Sequence, residues 1–329
     1  MSEIKLDLID RKILSELDKN ARISNAQLAR KVRKSRETVK YRIKQLQEKG
    51  ILQGFITSIN PNRLGFIMFK VYLKLENNPK ERQKFYSALK QNKDIYWMGI
   101  SDGAFDCVFA ILAKSTVEYF SIINKLLSDW KHIIISKTLG TMVDTKQYNK
   151  KFFLENSKES EVQVVTFGAK VVENIIDSLD SQILNILAND ARIPIAELAR
   201  KTNSSIEIVR RRMKILEQKG IILSYRIAVD LNKLNLEFFK AIIYFKSLSP
   251  KDEAALSQWM KQHPRSLYYI RSLAPWEVEF EFVVESYQQF NQIINELREK
   301  FSHVIRNHEH LIMIEETWMP AYKELLKQN

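Results

Sequence analysis

Arg36, Lys40 and Lys44 recur at intervals of four within KVRKSRETVKYRIKQLQEKG, residues 31–50, a stretch with eight Lys or Arg against two Glu. Side chains four apart share one helix face. Cations ordered in this way suit one chemistry, in which they displace counterions from phosphates and reach base edges in the major groove. Val39, Ile43 and Leu46 recur at helical spacing on the other side, so one stripe of the same helix is predicted to be buried. A second version, KTNSSIEIVRRRMKILEQKG at residues 201–220, presents Arg210, Arg211 and Lys214. The predicted DNA contacts are Arg33, Lys34, Ser35, Arg36, Thr38, Lys40, Tyr41 and Lys44 in the first copy. In the second they are Ser204, Ser205, Arg210, Arg211 and Lys214. The bland alternative is a solvated helix face. Arg42 and Arg212 lie one place before a buried position, and two roles stay open for them: pairing with Asp10 and Asp180, or holding a phosphate.

Other chemistries find less support. Glu277, Glu279 and Glu281 alternate on one strand, and His308 and His310 lie on the last. In a βαββαβ sheet a third strand separates those two, putting them ~9.5 Å apart, too far for shared metal ligation. There is no glycine-rich phosphate loop and no nucleophile elbow. The expectation is therefore no metal, no cofactor, no catalytic residue and no enzymatic activity.

The basic helices need elements to position them, and the chain supplies these twice. Residues 10–52 and 180–222 align without a gap at an offset of 170, with 21 of 43 positions identical, including ARI, LARK and KGI. Their net charges are +8 and +3, which is most of the chain's +13. Such concentration is the footprint expected for nucleic acid. Each window reads as three helices, with Ser24 and Ser35 as caps in the first and Gly50 ending the third, followed by a β-wing in ILQGFITSI. Beyond it, IMFKVYLKL alternates between Ile67, Phe69, Val71, Leu73 and Leu75 on one face and Met68, Lys70, Tyr72 and Lys74 on the other. The order βαββαβ predicts a ferredoxin-like sheet. The fold class is α+β, with two winged helix-turn-helix domains (1–56 and 177–226) alternating with two ferredoxin-like domains (57–153 and 227–329). A linker is expected over 154–176. Lys70 and Lys74 opposite Glu277, Glu279 and Glu281 predict that the two sheets associate, within one chain or between chains. One cysteine, a charged N-terminus and no long apolar run predict a cytoplasmic protein without a membrane segment.

In order and in duplicate, Asp10, NARIS, LARKV, SRETVKYRIKQLQEKGIL and GAFD resemble the Lrp/AsnC (leucine-responsive, feast/famine) regulators. That resemblance implies double-stranded DNA as partner, dimerisation, and sensing of a small effector such as an amino acid. Gly103, Phe105 and Asp106 would line the effector site. Fusion of two copies implies an intrachain pseudo-dimer, which could assemble further into a homo-oligomer. In the second copy GAFD becomes APWE, losing the glycine. Two other readings compete with a sequence-specific regulator. One is a weakly specific architectural DNA binder. The other is an enzyme like the siroheme decarboxylases, which also resemble fused Lrp-like halves. The histidine-bearing run of that class has no counterpart in GFITSINPNRLGF or SYRIAVDLNKLNL.

Overall fold

The computed structural model describes residues 6–155 and 162–318. The first half runs α1 (Leu8–Lys19), α2 (Asn25–Val32), α3 (Arg36–Glu48), β1 (Leu52–Ile59), β2 (Ile67–Leu75), α4 (Pro79–Gln91), β3 (Ile95–Gly103), β4 (Cys107–Ala113), α5 (Thr116–Leu127), β5 (Ile134–Tyr148) and β6 (Val164–Gly168). The second runs α6 (Ser178–Asn189), α7 (Ile195–Lys201), α8 (Ile206–Gln218), β7 (Ile222–Val229), β8 (Glu237–Phe245), α9 (Pro250–Gln262), β9 (Ser266–Leu273), β10 (Val278–Val284), α10 (Tyr287–Lys300) and β11 (Ile305–Trp318). The ferredoxin-like order is present in both halves, as β5-β2-β4-β3 and β11-β8-β10-β9.

Neither wing is a hairpin. β1 pairs antiparallel with β7, so each helical module lends its strand to the other half. The bonds at the ends of this ribbon are reciprocal: Asn60 N–H donates to Ile221 and Asp230 N–H to Ile51. The stretch expected as linker also departs from plain connection, because β6 extends the edge of β5 there. β5 itself is long. Its first half pairs with β2 and its second with β9, while β11 pairs with β3 as well as β8. Eight strands thereby close into a ring, β2-β4-β3-β11-β8-β10-β9-β5, which leaves no open edge at the seams between the two sheets.

Both faces of β2 are buried, for different reasons. Phe69, Val71, Leu73 and Leu75 pack under α4 and α5, and Phe239, Ala241, Ile243 and Phe245 do the same under α9 and α10. The alternate residues point into the ring. There Lys70, Lys240, Glu279 and Glu281 are all nearly inaccessible. Lys70 donates to Glu279 at 3.0 Å and Lys240 to Glu279 at 2.6 Å; Lys240 also binds Glu281, and Tyr72 binds Glu279. Burial alone would raise the Glu279 carboxyl, but Lys240 and Lys70 hold it well below the usual range. Burial lowers Lys70, and Glu279 only partly opposes this.

This cluster makes the pairing selective. Lys70 and Lys240 occupy matched positions in the two halves, whereas Glu279 and Glu281 correspond to Val108 and Ala110. Two first-half sheets face to face would bury two ammoniums with no acid. Two second-half sheets would bury four carboxylates with two ammoniums. Only the mixed pair balances these four charges, and an uncompensated buried charge costs several kcal/mol, roughly 3–5. The expected association of the sheets is therefore realised within the chain. The Lys74 part of that expectation is corrected: Lys74 turns to Asp106 at 3.3 Å and to the Gly103 carbonyl at 3.0 Å, at the rim of its own sheet.

Candidate nucleic-acid interface

The helix-turn-helix geometry follows from local sequence. Ser24 accepts from Gln27 N–H in a capping box that starts α2, and Ser35 accepts from Thr38 N–H to start α3. Between them Arg33 adopts the left-handed conformation, φ 54°, and Asn203 does so at the matching point of the second copy, φ 47°. In the second module Ser205 caps α8, but Pro194 stands where Ser24 caps α2, and it makes no side-chain cap bond.

Val39, Ile43 and Leu46 are buried on one side of α3, as are Val209, Met213 and Leu216 on α8. The predicted contact residues fall mostly on the free sides. Arg33, Lys34, Arg36, Lys40, Tyr41 and Lys44 are exposed, as are Arg210, Arg211 and Lys214. Arg30, Arg33, Lys34 and Arg36 line an open concavity beside the turn. Thr38 is half-buried, and its hydroxyl lies 2.9 Å from that of Ser35. Ser35 and Ser205 are occupied as caps, and Ser204 is half-buried. The two roles left open for Arg42 and Arg212 now separate. Arg42 lies 2.7 Å from Asp7 and 3.2 Å from Asp10, and Arg212 lies 2.6 Å from Asp177 and 3.4 Å from Asp180. Each tethers its third helix to its first.

Residues that the sequence left without a role join the two modules. Arg22, from the first ARI, donates to the carbonyls of Ala191 at 2.7 Å and Ile193 at 3.2 Å and lies over the Tyr225 ring. Arg192, from the second ARI, donates to the Ala21 carbonyl and to Asn25, both at 2.6 Å, and lies over Phe55. The repeated motif is thus a reciprocal clamp, and its recurrence was the signal. Asp18 had no such signal, because its counterpart is Ala188. Fully buried, it pairs with Arg226 at 2.7 Å and Lys150 at 2.9 Å. Burial opposes its ionisation, yet those two cations lower its pKa to about 2.

The three effector candidates come together at the end of β3. A Cβ on Gly103 (φ 111°) would stand 2.6 Å from the His310 carbonyl, so this glycine admits the neighbouring strand β11. Asp106 accepts from Leu75 N–H at 2.8 Å, and Phe105 packs against Tyr72 and Trp276. The second copy repeats the first of these contacts, with Glu277 accepting from Phe245 N–H at 3.4 Å. β8 separates β10 from β11, and among the described residues no cluster of three metal-ligating side chains occurs. Nor is any helix among them long and apolar enough to cross a membrane.

Comparison with known proteins places the helical modules. A family described as winged helix-turn-helix DNA-binding matches residues 6–53, and one described as the AsnC-type helix-turn-helix domain matches residues 176–217. The proline dehydrogenase transcriptional activator of Rhodobacter capsulatus is 30% identical over 147 residues, 44% of this chain and 95% of that protein. The leucine-responsive regulatory protein of Escherichia coli K12 is 28% identical over 148 residues, 44% of this chain and 90% of that protein. Each such relative has the extent of one half. Across the whole chain, the crystal structure of the siroheme decarboxylase NirDL shares the fold, with TM-score 0.64, 98% coverage of both chains and 9% identity. That match overturns the expectation of no enzymatic activity, since the entire two-copy architecture is one on which a catalyst is built.

Proposed function

Because this chain belongs to the Lrp/AsnC family, in two fused copies, we propose that it is a DNA-binding transcriptional regulator whose single chain carries both members of the usual pair of readers. The observation that carries this reading is the joined pair of helix-turn-helix modules, each presenting exposed cations on the free side of its third helix. Arg36, Lys40 and Lys44 would approach phosphates and base edges from the first module; Arg210, Arg211 and Lys214 would do so from the second. Matched positions differ, with Ile206 opposite Arg36, so the two modules would read unlike half-sites. An amino acid or another small effector, bound near Gly103, Phe105 and Asp106, would modulate binding, and chains would associate further into oligomers. The test is fluorescence anisotropy of the full chain on genomic fragments it retains and on random DNA, across salt concentrations. Specific binding with a steep salt slope supports the reading. Equal affinity for both DNAs would make the protein an architectural binder.

A second reading rests on the whole-chain fold shared with NirDL, the enzyme that acts on siroheme. It would be tested by adding an iron tetrapyrrole carrying carboxylate side chains and following absorbance and released carbon dioxide. Unchanged spectra and no carbon dioxide would dismiss it.

A further inference from the structure

Inside the ring, where the two sheets meet, lies a cavity of about 80 Å³. Both halves build it. Lys70, Tyr96 and Trp97 come from the first, and Tyr268, Glu281 and Glu316 from the second. Its volume corresponds to about three water-sized groups, at ~30 Å³ each. That is far below the several hundred Å³ of a site enclosing a whole cofactor or drug-sized ligand. It can hold a head group.

The chemistry of the walls selects the head group. Glu281 is buried and held by Lys240. Glu316 stands at the mouth, where its residue keeps open surface although protein crowds its carboxyl, and it accepts from the Trp97 indole N–H at 3.1 Å. Among the described residues Glu316 forms no ion pair. The Lys70 and Lys240 ammoniums are engaged by Glu279 and Glu281. Among the described residues the cavity therefore offers one carboxylate outside any ion pair, its nearby cations Lys240 and Lys150 being held by Glu279, Glu281 and Asp18, beside the rings of Tyr96, Trp97 and Tyr268. Aromatic faces and a carboxylate attract a cation together. Among the described residues, an anionic head group would instead meet two acids and no ammonium outside an ion pair.

We propose that this cavity binds the ammonium head of a small primary amine, with Glu316 as counter-ion and the rings of Trp97 and Tyr268 as walls. The geometry stands without any DNA-binding role, so its test needs no DNA. Burial and the nearby Glu281 push the Glu316 carboxyl up to about 7, against the Trp97 hydrogen bond, Lys240 and Lys150. A bound cation favours the ionised form, so binding at pH 7 should also release a proton.

The experiment is calorimetric titration of the full chain with ethylammonium chloride, against sodium chloride at equal ionic strength, in two buffers of different ionisation enthalpy. Expected are saturable heat, a buffer-dependent enthalpy from the released proton, and a change in tryptophan fluorescence that Trp97→Phe removes. Glu316→Gln should weaken binding at least tenfold and abolish the proton release. Ala110→Val, which narrows the same cavity without changing charge, should weaken binding too and serves if Glu316→Gln does not fold. Heat indistinguishable from sodium chloride would overturn the proposal and leave the cavity to water. So would an affinity unaltered in the folded variants.

Discussion

Replacing Glu279 by Gln keeps the shape of the side chain and removes its charge. Of the four-residue cluster, Lys70 and Lys240 then remain paired with Glu281 alone, one ammonium in excess. Glu279 also accepts from Tyr72 and, at 3.1 Å, from the Ser272 hydroxyl, and these bonds weaken when the acceptor loses its charge. Breaking one side of a buried ion pair costs about 3–5 kcal/mol, a large part of the ~5–15 kcal/mol that usually separates folded from unfolded states. Lys70→Met with Glu279→Gln removes one charge of each sign and leaves Lys240 facing Glu281. The double variant should recover about 2–3 kcal/mol relative to the sum of the single losses, since the excess charge is gone. Urea unfolding followed by circular dichroism measures all four corners of this cycle. If Glu279→Gln costs under ~1 kcal/mol, or if the two losses simply add, charge balance does not hold the two halves together.

Four further outcomes follow from the same contacts. Arg192→Ala strips partners from the Ala21 carbonyl and Asn25 and should lower stability by about 1–3 kcal/mol in thermal melts; an unchanged melting temperature would show that the clamp is dispensable. Asp18 has a folded pKa of about 2 against an ordinary 3.8, so its contribution is complete above pH 4 and lost as pH falls toward 2. That loss is about 2 kcal/mol, and acid unfolding of Asp18→Asn should lack that step. Lys40→Ala should lower the salt slope of DNA binding by about one unit, whereas Arg36→Ala should cost roughly 1–3 kcal/mol on specific DNA only; identical behaviour of the two would remove the division between phosphate and base contacts. Gly103→Ala places a Cβ against the His310 carbonyl and should destabilise the β3–β11 seam by about 1–3 kcal/mol, read by urea unfolding.

Much of the fold was legible because local rules set it. Ser24 and Ser35 announced the starts of α2 and α3, and the period-two pattern of residues 67–75 announced β2. The gap-free repeat announced two halves. What stayed hidden depends on partners distant in sequence. The wing reads the same whether it folds back on itself or pairs with a strand 170 residues away. β5 runs to Tyr148 because β9 and β6 receive its second half, which no local signal records. In the candidate contact surface, exposure of Arg36, Lys40 and Lys44 followed from the buried stripe opposite them. Arg42 could not be assigned from spacing, because one residue fits both a phosphate and the carboxylates of α1. Lys74 was matched to the wrong acid because alternation gives the face of a strand, not the distance along it. Missing motifs do not exclude catalysis, because the full two-copy fold is shared with a decarboxylase.

The central claim is that one chain presents two joined and unequal DNA readers. Hydroxyl-radical footprinting of the full chain on a genomic fragment that it retains, at physiological salt, tests it most directly. The account predicts two protected half-sites of different sequence, centred about one helical turn apart, with Arg36→Ala releasing one and Arg210→Ala the other. A perfectly palindromic protected site released equally by both variants, or no protection beyond that on random DNA, would contradict it.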